Sequence, residues 1–244
     1  MDLEKLIDMA ENGDPEAQCK LGVIYHEGIL LERDPEKAFN YFKSAAEAGT
    51  VEAMSHLGAF YYMGVGTIVN YEEAYKWTKL SADAGNVEAR YNIGIYYLEG
   101  CIVEKDLRKG IEILRSLSEE GNARALYKLG ECYIKGVGVE QDYQEGVNLL
   151  SLAVQKEDIY ALGMLAYCFM EGYGVEKNPS EGFRLMLLAA EQGNMSAQFS
   201  VAWCYYAGDG VPVNHKKAHE WFQKTAEQGH EESKELLKDL YFDI

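Results

Sequence analysis

Residues 49–85 read GTVEAMSHLGAFYYMGVGTIVNYEEAYKWTKLSADAG, and the glycines at the two ends, Gly49 and Gly85, lie one period apart. The same glycine returns at Gly13, Gly121, Gly193 and Gly229. Glu157 holds the remaining place, and no insertion breaks the 36-residue step. Self-similarity at a fixed period of 20–50 residues marks a stacked repeat protein. Each unit then contacts chiefly its neighbours, and the array forms one extended body. Such a body presents a long surface in place of a single cleft, so function is sought in the columns that the stacking lines up.

Numbered from its starting glycine as zero, each unit repeats one grammar. Position 1 holds Asp14, Thr50, Asn86, Asn122, Asp158 and Asn194, residue types whose side chains accept from the free N–H groups at a helix start. Alanine at position 4, Leu, Ile or Val at position 8 and Tyr or Phe at position 12 follow at steps of four, which keeps them on one helix face. Position 9 is always small: Gly22, Gly58, Gly94, Gly130, Ala166 and Ala202. Glycine inside a helix costs about 1 kcal/mol against alanine, so its recurrence predicts a second helix passing close by. Glycine at position 15, from Gly28 to Gly208, ends the first helix in a left-handed conformation. Asp or Asn at position 21 opens a second helix. Its inner face carries small residues at positions 25, 32 and 33, and a larger apolar one at position 28 (Tyr41, Trp77, Ile113, Leu149, Leu185, Trp221).

The sequence therefore predicts an all-α, right-handed α/α superhelical solenoid of six 36-residue helix-turn-helix repeats with terminal half-repeats. One repeat domain covers 1–244: a capping helix over 1–12, repeats at 13–48, 49–84, 85–120, 121–156, 157–192 and 193–228, and a capping helix over 229–244. In the last helix Leu237 and Tyr241 keep the apolar phase. His230, Ser233 and Lys238 replace the usual cap, alanine and position-9 glycine, as suits a helix with nothing stacked beyond it.

Composition narrows the function. Acidic residues outnumber Lys and Arg 40 to 23, for a net charge of −17. Nucleic-acid binding needs clustered cations, so a basic protein or peptide is the better electrostatic match. The N-terminus shows no basic n-region followed by an apolar stretch, and the longest apolar run, 161–170, is too short to span a bilayer. A cytoplasmic protein with no membrane span is expected. Of the five cysteines, Cys132, Cys168 and Cys204 share position 11 with Ile24, Phe60 and Tyr96. That apolar column reads as core filler, and the absence of C-x-x-C leaves no zinc or redox motif.

The pattern A-x3-L-G-x2-Y-x2-G-x-G-V-x2-D-x3-A-x2-W-x3-A-A-x2-G resembles the Sel-one-like repeat family, relatives of tetratricopeptide repeats. Its clearest unit runs from Ala53 through Leu57, Gly58, Tyr61, Gly64 and Gly66 to Ala82 and Gly85. The resemblance covers essentially the whole chain. Leu30 and Ile102, in place of the second loop glycine, and Glu157 depart from it. It implies protein–protein interaction, as an adaptor or scaffold; enzyme activity is not expected, because no catalytic motif accompanies the repeats.

Positions 3, 6, 10, 13 and 14 of the first helix lie opposite the core stripe and should line a concave groove. A solvated face should be polar, yet this one carries Tyr62, Tyr91, Tyr127, Tyr167, Phe199, Trp203 and Tyr206, residue types that dominate binding hot spots. Packing of these rings on one another is the competing reading. Glu16, Glu52, Glu88 and Glu99 make the first half of the groove acidic. The predicted partner is a protein or peptide segment, basic toward the N-terminal repeats and apolar toward the C-terminal ones. An immunity or inhibitor protein neutralising a basic toxin or effector is the alternative. Penicillin binding or hydrolysis, associated with some cysteine-rich relatives, lacks an S-x-x-K nucleophile here. His215 and His219 have no H-E-x-x-H around them, His26 and His56 form no evident cluster, and loops such as Gly136-Val137-Gly138 follow helices and lack G-K-[ST]. No catalytic residue, metal or cofactor is expected.

Overall fold

The computed structural model describes residues 2–239, so Tyr241 lies outside the described residues. Fourteen α-helices and no strand occur among them. The helices that open the six units are α2 (Pro15–Glu27), α4 (Val51–Met63), α6 (Val87–Glu99), α8 (Ala123–Lys135), α10 (Ile159–Glu171) and α12 (Met195–Ala207). Those that close them are α3 (Pro35–Glu47), α5 (Tyr71–Asp83), α7 (Leu107–Glu119), α9 (Tyr143–Gln155), α11 (Pro179–Glu191) and α13 (His215–Glu227). Before and after stand α1 (Leu3–Glu11) and α14 (Glu231–Asp239). The chain divides into two compact parts, Met1–Ile113 and Leu114–Ile244, with the division inside α7. In the first, consecutive helices pack from α1 on α2 through to α5 on α6. In the second, α8 to α14 do the same, and α8 also touches α10.

The caps follow the sequence closely. Asp14, Asn86, Asn122, Asp158 and Asn194 each accept the amide hydrogen three residues on. Thr50 is the exception and makes no side-chain cap bond. All six residues at position 21 cap the closing helices. At the last turn, His230 takes the cap role: the Ser233 amide donates to its Nδ1 at 3.2 Å, and the buried Ser233 hydroxyl lies 2.6 Å from that of Thr225. Glu157 adopts φ +65 where every other unit boundary has glycine, a left-handed conformation that costs an L-residue about 1–2 kcal/mol.

Close approach explains the small column at position 9. A Cβ on Gly58 would stand 2.3 Å from Thr78 Oγ1 and 3.2 Å from the Ala74 carbonyl oxygen on α5, and one on Gly130 3.1 Å from the Gly146 carbonyl oxygen on α9. The inner face of the closing helices corrects the sequence reading by one residue. Position 29, with Phe42, Leu150 and Phe222 fully buried, faces the opening helix, while position 28 lies on its flank, half-buried at Tyr41, Trp77 and Trp221 and buried at Leu149 and Leu185. Steps of four from position 25 reach 29 and 33, and the polar Thr78 hides that column in the sequence.

The second loop glycine serves more than its loop. A Cβ on Gly66 would fall 2.1 Å from the Pro35 carbonyl oxygen, one on Gly174 2.3 Å from that of Tyr143, and one on Gly210 2.1 Å from that of Pro179. Each loop thus presses on the first turn of the preceding unit's closing helix. Leu30, exposed, keeps the left-handed conformation at φ +69, and Ile102 does not.

All five cysteines are free. Cys19, Cys132, Cys168 and Cys204 are buried, and burial pushes their thiols up to about 11, whereas Cys101 is exposed. His26 and His56, read as unrelated in the sequence, are brought together. The His26 ring lies 5.0 Å from Phe60 and the His56 ring stacks on Phe42 at 4.5 Å, with the two phenylalanines edge to face at 5.1 Å. His215 stacks on Tyr206 at 5.2 Å. No group of three metal-ligating side chains occurs among the described residues, and no helix among them is long and apolar enough to cross a membrane.

Candidate functional site

The opening helices of the second part carry their rings on the face away from the alanine stripe. Tyr160, Gly163 and Tyr167 follow one another along that face of α10, because three and four residues make one turn. Beside it runs an open recess of about 630 Å³. Its walls include Tyr127 on α8, Tyr160, Met164 and Tyr167 on α10, and Ser196 and Ser200 on α12, with Tyr143, Tyr173, Met186 and Asn194 also in the lining. That volume lies within the range of sites that seat a ligand or a side chain.

Ring contacts organise the walls. Tyr127 and Tyr160 stand 6.0 Å apart, Tyr143 and Tyr173 stack at 4.6 Å with planes 9° apart, and Tyr173 meets Tyr167 edge-on at 5.7 Å. The Tyr143–Tyr173 stack follows from the loop contact, since Gly174 lets residue 173 come down beside the start of α9. Tyr160 remains 60% exposed and Tyr167 44%. Partial burial, then Tyr173 and Glu171, push the Tyr167 hydroxyl above its ordinary range. On the α8 side, burial opposes ionisation of Glu131. Lys128 at 2.8 Å and Lys135 at 2.5 Å nonetheless hold that carboxyl below the usual value. The one cation lining the recess, Lys135, is thereby paired.

The structure sorts the residues expected in the groove. Tyr127 and Tyr167 share the recess. Phe199, Trp203 and Tyr206 form a neighbouring cluster, in which Trp203 packs edge-on against Phe222 at 5.5 Å and Tyr206 at 5.6 Å, and all three are half-buried. In the first part, Tyr91 is buried at 7% exposure and offers little surface to a partner. Tyr62 is exposed and lies 5.9 Å from Tyr96. Glu16, Glu52, Glu88 and Glu99 are all exposed. Binding face and inner packing therefore both occur, residue by residue. Sequence reasoning missed Gly163, Met164, Met186, Tyr143 and Tyr173. The available clue was the gap at Gly163 in a column that reads Tyr91, Tyr127, Gly163, Phe199.

Comparison with known proteins bears on these observations. The family model described as Sel1 repeat matches residues 15–50, 51–86, 87–122, 123–158, 159–194 and 196–230. No curated protein matches the sequence. Among solved structures, a protective antigen present in uropathogenic Escherichia coli strains, with an SLR fold, is 31% identical with a TM-score of 0.75. The match covers 97% of this chain and 51% of that one, so this chain spans about half its length. A Sel1 repeat protein from Oxalobacter formigenes is 24% identical with a TM-score of 0.80, over 93% of this chain and 100% of that one. An immunity protein from Pseudomonas aeruginosa is 18% identical with a TM-score of 0.61, over 87% and 81%. The fold class is an all-α repeat solenoid.

Proposed function

Since the chain belongs to the Sel1 repeat family, whose repeats are protein-interaction modules, we propose that the tyrosine-lined face beside α10 binds a segment of another protein. The chain then acts as an adaptor. The observation that carries this reading is the recess itself: five tyrosines and two methionines around an open volume of about 630 Å³. Tyrosine supplies large contact area with few rotamers to freeze, and methionine adapts to irregular partners. The exposed Glu16, Glu52, Glu88 and Glu99 of the first part favour a basic segment and speed its encounter.

The test is a crosslinked pull-down read by mass spectrometry, comparing wild type with Tyr167→Ala and with the Tyr167→Ala/Trp203→Ala double variant. A partner common to replicates should be lost with Tyr167→Ala, whose side chain is exposed, with circular dichroism run on the variant to check that the fold is unchanged. Retention of that partner at wild-type affinity by both variants removes the reading. Neutralisation of a basic toxin or effector is a second reading, supported by the net charge of −17 and by the likeness in fold to immunity proteins. It requires the captured partner to be basic and the affinity to fall steeply with salt.

A further inference from the structure

Gly163 and Phe199 occupy the same place, position 6, in successive units. Three residues surround the Phe199 ring: Trp203 at 6.4 Å, Phe222 at 5.6 Å and His230 at 4.5 Å between centroids. Counting each back by one 36-residue period gives Tyr167, Met186 and Asn194. All three line the recess at Gly163. The walls that seat a ring in one repeat are thus present in the repeat before it, around a residue with no side chain. A Cβ built on Gly163 meets nothing within 4 Å. The charge pattern adds a second constraint. Lys135, the one cation of the lining, is paired with Glu131, while Glu171 lies exposed one turn beyond Tyr167 on a chain of net charge −17.

We propose that the Gly163 recess receives one aromatic side chain, Phe or Tyr, from a basic segment of a partner polypeptide, which completes the position-6 column from outside. This rests on reading the α10 face as a binding surface, and it adds the side chain that anchors there. The incoming ring meets Tyr167 edge-on or offset, as Phe199 meets Trp203, and gains a sulfur–aromatic contact with Met186. An inserted Lys or Arg would find no unpaired carboxylate inside the recess. A leucine would forgo the ring–ring contact with Tyr167.

The probe is the peptide acetyl-Lys-Phe-Lys-amide, titrated into the full chain and followed through backbone amide shifts in nitrogen-15 NMR. Acetyl-Lys-Leu-Lys-amide and acetyl-Glu-Phe-Glu-amide serve as controls. Saturable shifts centred on Gly163, Tyr167 and Ser196 are expected, with at least tenfold weaker response to either control. Gly163→Phe supplies the ring from within and should abolish the response. Nuclear Overhauser contacts between the probe ring and the Met186 methyl group test the same seat in the wild-type chain, whatever the variant does. Equal response to Lys-Leu-Lys, absence of saturation, or no contact to Met186 overturns the proposal. If a partner is still lost with Tyr167→Ala while the aromatic probe finds no seat, the binding surface stands and the aromatic anchor falls.

Discussion

Two interior helix glycines should respond in opposite senses to one added methyl group. In Gly163→Ala the new carbon meets nothing within 4 Å, so only helix propensity acts and the chain gains about 1 kcal/mol. At this chain length that is a rise in Tm of roughly 2–4 °C. Gly58→Ala receives the same propensity gain. Its Cβ, however, would stand 2.3 Å from Thr78 Oγ1 and 3.0 Å from the Thr78 amide nitrogen. Thr78 is itself almost fully buried, and its backbone cannot withdraw without shifting α5. Overpacking costs about 1–3 kcal/mol, and a contact to backbone sits at the upper end, so the net change is a loss of about 2 kcal/mol. Urea titrations of the wild type and the two variants, followed by far-ultraviolet circular dichroism in one buffer, give both signs. The same sign for both variants would refute the reasoning, because the two sites share residue type and helical context and differ only in what lies beyond the Cβ.

Other consequences are open to direct measurement. Glu157→Gly should raise stability by about 1 kcal/mol by relieving the left-handed strain at φ +65, whereas Gly66→Ala should lower it by about 3 kcal/mol through its collision with the Pro35 carbonyl; thermal melts separate the two. The His56 pKa is lowered by burial against Phe42 and by His26, with Glu27 and Glu52 pulling the other way. The unfolded chain then binds a proton that the folded chain resists, so the contribution is full above about pH 6.5 and declines as the pH falls toward the folded value. His56→Gln should flatten the pH dependence of the urea midpoint below about pH 6.5; an unchanged slope counts against it. A thiol reagent at pH 8 should label Cys101 quickly. Cys19, Cys132, Cys168 and Cys204, with pKa values near 11, should react only after denaturant is added.

Most of the architecture was legible because each structural demand recurs six times. A single Asn, Asp or Thr before an apolar residue is weak evidence for a helix start, but six such residues in one phase, five of them observed as caps, leave little freedom. What the columns hid were contacts between columns. Position 28 looked like the inner face because Thr78 interrupts the true one at position 29. Gly66 looked like a loop residue because its partner, the Pro35 carbonyl, carries no side-chain signature. The candidate site was half visible. Tyr127 and Tyr167 stood out as aromatic residues on the outer face and are half-buried and exposed, while Tyr91, chemically the same, is buried. Gly163 marks the site by lacking a ring, and a search for conspicuous side chains passes over a missing one. Tyr143 and Tyr173 reach the recess only because a loop folds against a helix start.

The contact between each second loop glycine and the preceding helix start makes the two edges of the repeat unequal as places to build. At Gly66, Gly174 and Gly210 backbone lies on backbone at distances that admit no extra atom, so these loops work like pegs that set the spacing of consecutive units. At Gly49, Gly85, Gly193 and Gly229 a Cβ would meet nothing within 4 Å. A fluorophore, affinity handle or grafted epitope meets no wall at the second set of corners, where the left-handed backbone costs its side chain only about 1–2 kcal/mol. Placed at the first, it would wedge one unit away from the next and alter the spacing of any face that the rows of side chains present.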